Sequence, residues 1–183
     1  MAVGHVRPGR PGDAEEIARI QVATWQTAYR RLFPRHVLDG LDAADFAATW
    51  RDAVVAPPTD RHRVLVAVEQ STDTSYVVGF AAIGPAEEDH MEPGEAAPAG
   101  TAAITELLVE PRWGRRGHGS RLLAAAAAHW RKDGFTSALA WAFDQAPATG
   151  KFLTSAGWAP DGHTRALDVA DMLVPQSRYA TLL

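Results

Sequence analysis

Two glycines and two arginines within six residues form the strongest candidate for a chemical site in this 183-residue chain. Gly117 and Gly119 lack Cβ atoms, so the backbone N–H groups beside them can approach a ligand closely. Arg115 and Arg116 add two positive charges, and a helical pattern begins directly after Ser120. Because a helix N-terminus presents unpaired N–H donors and a partial positive charge, this stretch predicts a pyrophosphate site.

The glycine spacing narrows the kind of phosphate ligand. A dinucleotide-binding fingerprint requires a third glycine at position 122, which is Leu122 here, and it comes early in a long alternating chain. A P-loop requires Lys and then Ser or Thr after its second glycine, and the sequence contains no such string. A plain helix-start turn with solvated arginines is the alternative, so the glycines alone do not identify the ligand.

The elements around this turn favour a right-handed β-α-β unit. Residues 104–109 and 136–143 have the composition of strands, and residues 121–132 form an alanine-rich helical pattern. A strand, a crossing helix and a second strand of these lengths place both strands parallel in one sheet. The turn of residues 112–120 therefore follows the end of a strand and leads into the helix.

The rest of the chain predicts further elements and a single domain. Asp13, Pro34 and Asp42 mark the starts of three helices. Residues 84–100 are rich in Pro, Glu, Ala and Gly, which predicts a mobile loop. We find no repeat and no second core, and therefore expect one domain over residues 1–183. The other predicted elements are strands at residues 3–7, 63–69, 76–83, 164–169 and 173–183 and a short helix at 148–156.

The residues beside the glycines resemble the acetyl-CoA motif of the GNAT acetyltransferases. The string LLVEP of residues 107–111 is followed by RRGHGSRLL of residues 115–123. The resemblance continues on both sides, with VRP at residues 6–8, WQTAY at residues 25–29 and FLTSAGW at residues 152–158. The matching segments span nearly the whole chain in the order that the family has.

The resemblance implies a fold, a cofactor and a binding site. The fold would be an α/β GNAT fold, with flanking helices and a central, mixed, mostly antiparallel sheet that contains one splayed pair of parallel strands, 104–109 and 136–143. Acetyl-CoA would be the co-substrate. Its pantetheine arm would pair with the backbone of Leu107, Leu108 and Val109, as an added strand does. Its pyrophosphate would be bound by Gly114, Arg115, Arg116, Gly117, His118, Gly119 and Ser120.

Two of these turn residues depart from the family pattern. Gly114 stands where the motif usually begins with Gln or Arg; its backbone N–H is retained, and Arg115 or Arg116 would supply the charge. His118 stands where the family usually has an apolar residue, and we expect its side chain to pack.

The same resemblance implies direct attack of a neutral amine on the thioester. Glu106 is the best-placed carboxylate to accept the amine proton; a charge on a solvated strand face or a structural ion pair is the alternative. Leu153 stands where the family frequently has a tyrosine acid, and Ala146 where it often has Asn. Tyr179, on the last predicted strand, is the substitute acid, with simple packing as the alternative.

The first helix supplies candidate residues for the acceptor site. Trp25 and Tyr29 are four residues apart and therefore lie on one face of that helix. With Phe33 we expect them to line an acceptor pocket; core packing is the alternative. Residues 25–60 and 84–100 correspond to the variable parts of the family, so the sequence does not identify the acceptor.

Composition excludes several other classes of function. The absence of cysteine excludes a cysteine nucleophile and Cys-based metal sites, and no histidines have metal-ligand spacing, so we expect no metal. The net charge of -4 argues against a nucleic-acid partner. The longest apolar run, residues 122–128, is far shorter than the roughly 20 residues of a membrane span.

These observations lead to one principal expectation and one alternative. The principal expectation is a cytoplasmic N-acetyltransferase, monomeric or homodimeric, that uses acetyl-CoA to acetylate a small-molecule amine or a protein amino group. The alternative is a degenerate GNAT domain that binds acyl-CoA as a sensor or partner module without catalysis, which Leu153 and Ala146 favour.

Overall fold

The computed structural model describes residues 3–71 and 73–183. The strands are β1 (Val3–Pro8), β2 (Arg63–Gln70), β3 (Ser75–Pro85), β4 (Thr101–Val109), β5 (Ser137–Phe143), β6 (Ala159–Val169) and β7 (Met172–Leu182). The α-helices are α1 (Ala14–Ala28), α2 (Arg35–Asp39), α3 (Ala43–Val55), α4 (His118–Lys132) and α5 (Ala148–Ser155). Short 3-10 turns lie at Pro11–Asp13, Glu88–His90 and Pro111–Trp113.

The seven strands of the described chain form one sheet in the order β1-β2-β3-β4-β5-β7-β6. Neighbouring strands are antiparallel except β4 and β5, which run parallel and are connected through α4. The predicted fold class is therefore confirmed: an α/β protein with a mixed, mostly antiparallel sheet, one parallel pair and flanking helices.

Helices cover both faces of the sheet, because the central strands carry apolar side chains on both sides. On β2, Val64, Val66 and Val68 pack with α1 and α3, whereas Leu65 and Ala67 pack with α4. We call these two sides the α1 face and the α4 face. Among the described residues, no helix has the length and apolar composition that crossing a membrane requires.

Several predicted element boundaries were wrong. β4 begins at Thr101 rather than at residue 104, and β6 at Ala159 rather than at residue 164. α4 begins at His118 rather than at residue 121. These added residues include alanine in β4 and glycine in α4, which have low propensity for those elements, and pairing with neighbouring strands or packing holds them in place.

Residues 86–100 form an irregular segment, as predicted, although residues 84 and 85 belong to β3, and the segment is anchored to the sheet. The Met91 side chain is 4% exposed and packs in a cluster with Leu139. The Trp141 indole donates a hydrogen bond to the His90 carbonyl at 2.7 Å. Composition predicted the irregular backbone but not these contacts, because they are made to a strand about 50 residues away.

Candidate active site

β4 and β5 separate at their C-terminal ends. The two strands pair only over residues 101–104 of β4 and 137–140 of β5. Residues 105–109 of β4 adjoin β3 on one side and have no described strand neighbour on the other. The backbone groups on that open side are free to pair with an extended ligand, as an added strand would. The predicted splay is confirmed, and the paired part begins at residue 101.

A β-bulge at Thr105 decides which way Glu106 points. Two consecutive β3 residues pair with Ile104 and Glu106, so Thr105 is the extra residue of β4. Side chains of a strand alternate between its faces, and one extra residue exchanges the faces of the residues that follow. Ile104 packs on the α4 face, whereas Leu108 packs on the α1 face and Glu106 lies beside side chains of α1.

The carboxylate of Glu106 lies in a poorly hydrated environment. Burial raises the pKa of Glu106 to about 7, because an ionised carboxylate loses hydration there. The Leu107 backbone N–H and the side chains of Trp25 and Gln21 oppose this rise, because they stabilise the charged form. The Trp50 indole donates to Gln21 Oε1 at 2.7 Å, which turns the NH2 end of that amide away from Trp50. Glu106 therefore gains and loses its proton near neutral pH.

Aromatic side chains form a cluster beside Glu106. Neighbouring rings of Trp25, Tyr29, Phe33 and Phe143 have centroids 5.1 to 6.5 Å apart. Burial, and secondly the charge of Glu106, raise the pKa of the Tyr29 hydroxyl. The Trp25 indole N–H is buried and has no well-aligned acceptor among the described residues, so it acts on Glu106 through its dipole. The structure thus brings the three predicted acceptor residues together. Trp25 and Tyr29 lie beside the predicted base, whereas Phe33 is 7% exposed and packs in a core cluster with Leu38 and Val174.

The glycine–arginine turn leads directly into α4. Gly117 has a φ of 80°, a left-handed conformation that favours glycine, and it precedes the first helical residue, His118. The Arg121 side chain donates to the Arg116 carbonyl at 3.0 Å, and the Arg116 guanidinium lies 4.8 Å from the centre of the Trp113 ring. These contacts fix the turn, while the first N–H groups of α4 have no partner within the helix.

Two predicted turn residues have a smaller part in the ligand site than the sequence indicated. Gly114 ends the preceding 3-10 turn, and its N–H donates to the Pro111 carbonyl at 3.0 Å, so it is not available to a ligand. The His118 side chain is buried next to Glu69, 3.0 Å from its carboxylate, as the predicted packing requires. Only the backbone N–H of His118 is available to a ligand.

Glycine 119 is required by packing as well as by the turn. A Cβ at Gly119 would lie 3.3 Å from the ring of Phe152 on α5, so the glycine lets α5 approach the start of α4. The family-like segments that contain these two residues are therefore in direct contact.

Tyr179 places its hydroxyl against α5. A Cβ at Gly150 would lie 2.5 Å from Tyr179 Oη and would displace that hydroxyl. Both residues line a cavity of about 330 Å³ at the end of β5, which Phe143 and Asp144 also line. Leu153, one helical turn further along α5, is 2% exposed and packs in the core. Tyr179 therefore brings a hydroxyl from β7 to the helix on which the family usually carries its tyrosine.

Glu92, Glu95 and His163 are brought together in the described chain, with ligand-type atoms within 4.8 Å of one another. Arg178 donates to Glu95 at 2.8 Å, and the Thr164 backbone N–H donates to Glu92 at 2.8 Å. Because both carboxylates already have donors, we assign the group to an ion-paired network that holds residues 86–100 against β6 and β7.

Sequence reasoning missed four residues that support the predicted ones: Gln21, Trp50, Glu69 and Gly150. The first three act through contacts between distant parts of the chain, for which a single sequence carries no signal. Gly150 alone had a local signal, because a glycine inside a predicted helix often marks a close approach of another group.

A glycine-rich turn that leads from one strand into a helix, between two parallel strands that then separate, is the arrangement expected of the GNAT fold. Residues 19–157 match the family described as the Acetyltransferase (GNAT) family. The match covers most of the chain, and the chain belongs to this family.

One relative in sequence and two proteins of known structure illustrate what the chain is similar to. An uncharacterized N-acetyltransferase, YuaI, from Bacillus subtilis (strain 168) is 29% identical over 143 residues, which are 78% of this chain and 73% of YuaI. The PaiA N-acetyltransferase from Thermoplasma acidophilum, crystallised with coenzyme A, has a TM-score of 0.69 and 14% identity over 97% of this chain and 99% of its own. YncA, a putative acetyltransferase from Salmonella typhimurium crystallised with acetyl-CoA, has a TM-score of 0.68 and 16% identity over 98% and 94% of the two chains.

Proposed function

We propose that the protein transfers an acetyl group from acetyl-CoA to a primary amine of a small molecule or a protein. The observation that carries this proposal is the position of Glu106. This carboxylate, whose pKa is raised to about 7, lies on the free end of β4 and beside the aromatic cluster. A base with a pKa near the working pH is suited to accept a proton from an amine.

The residues of the turn suit a pyrophosphate group. The N–H groups of residues 117–120 and the α4 dipole would bind the phosphates, and Arg115 and Arg116 would add charge. The backbone of Leu107, Leu108 and Val109 would pair with the pantetheine arm along the open side of β4. Structural neighbours crystallised with coenzyme A and with acetyl-CoA support this choice of cofactor.

The chemistry divides between Glu106, Tyr179 and the backbone of β4. Acetyl-CoA, when bound, supplies an activated thioester. Glu106 accepts the N–H proton of the amine as the C–N bond forms, and Tyr179 Oη gives a proton to the sulfur as the C–S bond breaks. A backbone N–H of residues 107–109 holds the carbonyl oxygen, and such donors contribute roughly 3 kcal/mol. Exchange with solvent returns both side chains to their starting states.

Trp25, Tyr29 and Phe33 provide an apolar wall for the carbon part of the acceptor, and Glu106 attracts its ammonium group. In this proposal residues 1–183 act as one domain. The protein works in the cytoplasm as a monomer or homodimer, with neither nucleic acid nor a membrane as partner. The net charge of -4 supports the absence of a nucleic-acid partner.

Calorimetric titration with acetyl-CoA tests the cofactor site. We expect binding by the wild type and its loss in Gly117→Trp, because the indole would occupy the turn. Gly134→Trp is the matched control. Gly134 follows the last residue of the same helix by two positions, has a similar φ of 83° and has open space around its Cβ position. Absence of binding by the wild type would contradict the proposal, and equal binding by both variants would place the cofactor elsewhere.

A degenerate, non-catalytic domain that binds acyl-CoA is the second candidate function, because Leu153 and Ala146 replace residues that the family often uses. The two candidates differ in turnover. Release of free CoA thiol with members of a broad amine panel supports the enzyme. Tight binding of acetyl-CoA without thiol release from any amine supports the sensor.

A further inference from the structure

A buried histidine–glutamate pair lies directly behind the cofactor turn. His118 is 1% exposed, and Glu69 of β2 is 7% exposed. Nε2 of His118 lies 3.0 Å from Oε2 of Glu69. This is an ion-pair distance without hydrogen-bond alignment, and neither ring nitrogen has a well-aligned partner among the described residues. A proton on the ring would strengthen this contact, because it would complete the ion pair.

The pair fills a tight space among β1, β2 and α4. His118 is the first residue of α4, so its ring and the N–H donors of the turn belong to the same helical turn. A Cβ at Gly4 of β1 would lie 3.0 Å from His118 Cε1 and 2.9 Å from Arg121 Nη1. The ring therefore has little room to move away from Glu69, and its position is coupled to that of the turn.

Three charged groups face the ring of His118. Desolvation lowers the pKa of His118 below its ordinary value; Glu69 opposes this change, while Arg121 and Arg116 add to it. Nη1 of Arg116 also lies 4.0 Å from Oε1 of Glu69. In the free protein near neutral pH the ring is therefore neutral, and the local charge of the turn is positive.

We propose that His118 and Glu69 are positioning residues for the cofactor turn and that His118 takes up a proton when pyrophosphate binds there. This inference rests on the proposed acetyl-CoA site. The phosphates would bring negative charge to the start of α4 and offset Arg116 and Arg121, the groups that disfavour a protonated ring. The protonated ring and Glu69 then form a complete ion pair, which ties the first turn of α4 to β2.

The proposed coupling has a definite sign. If the ligand strengthens proton binding by His118, the proton strengthens ligand binding by the same factor. Affinity for acetyl-CoA should therefore fall as the pH rises through the pKa values of the free and the bound ring, by at most about tenfold for a ligand-induced rise of ~1 pKa unit. The phosphomonoester of the ligand itself titrates near pH ~6, so variants of the protein must isolate the contribution of His118.

Calorimetry in two buffers of different ionisation enthalpy counts the protons taken up when acetyl-CoA binds. We expect His118→Gln and Glu69→Gln to take up fewer protons than the wild type and to show a flatter dependence of affinity on pH. His118→Gln keeps a polar side chain that does not titrate. His129→Gln is the matched control, because it removes an imidazole from the same helix about 16 Å from the turn and should match the wild type.

The outcomes separate this inference from the proposed function. If wild type and His118→Gln bind acetyl-CoA with the same proton uptake, the inference is overturned and the proposed function is unaffected. If the wild type does not bind, both are overturned. Should the variants fail to fold, NMR titration of the His118 ring in the wild type decides, because an unchanged pKa with and without coenzyme A overturns the inference.

Discussion

Glu106 combines a raised pKa with a position at the open end of β4, and this combination leads to a prediction at the scale of the single residue. Glu106→Gln should lower kcat/KM by ~10²–10⁴-fold, the usual contribution of one general base. Because the base acts only when ionised, wild-type activity should rise with pH through about 7, the pKa of Glu106. Initial rates over a pH series, with a good amine acceptor, measure both effects.

The matching control is acetyl-CoA affinity, which Glu106→Gln should leave unchanged, since the carboxylate faces α1 rather than the cofactor turn. A variant that retains full activity and the same pH dependence would assign Glu106 to a structural role.

The close contact between Tyr179 and Gly150 leads to a second prediction at the scale of the single residue. Tyr179→Phe should lower kcat by ~10²-fold, the lower end for one acid–base group, with little change in acetyl-CoA affinity. Gly150→Ala should have a similar effect, because its Cβ would lie 2.5 Å from Tyr179 Oη and displace the hydroxyl. Gly12→Ala is the control, since a Cβ at Gly12 meets no atom within 4 Å. Unchanged kcat in Tyr179→Phe would exclude the acid role.

Individual residues differ in how far the sequence predicted them. The spacing of Trp25 and Tyr29 correctly placed them on one face, because helix geometry is local. The position of Glu106 on a strand was also predicted, but its direction depended on the bulge at Thr105, which pairing with β3 creates. The close contact between Tyr179 and Gly150 joins β7 to α5 and likewise has no local signal.

At the scale of elements, the open end of β4 depends on its close approach to β3. A Cβ at Gly79 of β3 would lie 2.6 Å from the Leu108 carbonyl oxygen. Alanine usually stabilises a strand relative to glycine, but here it must push β4 away, and overpacking of this kind costs about 1–3 kcal/mol. We therefore expect Gly79→Ala to lower the free energy of unfolding in urea and to weaken acetyl-CoA binding.

The same substitution at Gly12 should change neither quantity, which provides the comparison. If Gly79→Ala is as stable as the wild type, the two strands have room to separate there, and the geometry of the free end does not depend on this glycine.

Element type was easier to predict than element limits. The β-α-β unit around α4 followed from length and pattern, and the resemblance to GNAT proteins supplied the mixed, mostly antiparallel sheet with one parallel pair. The first turn of α4 was missed because His118, Gly119 and Ser120 are weak helix formers that packing holds in place. The irregular backbone of residues 86–100 was predicted from composition, but their contacts to β5 and β7 were not, because those contacts join distant parts of the chain.

At the scale of the whole molecule, carboxylates that are paired with arginines determine how stability depends on pH. Arg7 and the Arg10 N–H lower the pKa of Asp13, and Arg19 and Arg112 lower that of Glu110, which outweighs the opposing effect of burial. Both carboxylates contribute fully to the free energy of unfolding above their ordinary pKa values of 3.8 and 4.5. These contributions are lost as the pH falls through the lowered pKa values of the folded protein. The melting temperature should therefore fall steeply below pH ~4.

Glu106 acts in the opposite direction, because its pKa is raised from 4.5 to about 7. Its contribution to the free energy of unfolding is complete below pH 4.5. This contribution is lost as the pH rises through 7, because folding must then bury a charged carboxylate. Glu106→Gln should therefore melt at a higher temperature than the wild type at pH 8 and at a similar temperature at pH 4. A lower melting temperature at pH 8 would mean that the charged carboxylate stabilises the fold.

The sheet separates the two proposed substrate sites, since the aromatic cluster lies on the α1 face and the cofactor turn begins α4 on the opposite face. Each substrate can therefore enter without waiting for the other to leave. In the proposed direct transfer both are present together at the open end of β4 before any bond changes, and no acetylated form of the protein is needed. Double-reciprocal plots of initial rate against amine concentration, at several acetyl-CoA concentrations, should accordingly intersect; parallel lines would indicate that the acetyl group is first stored on the protein.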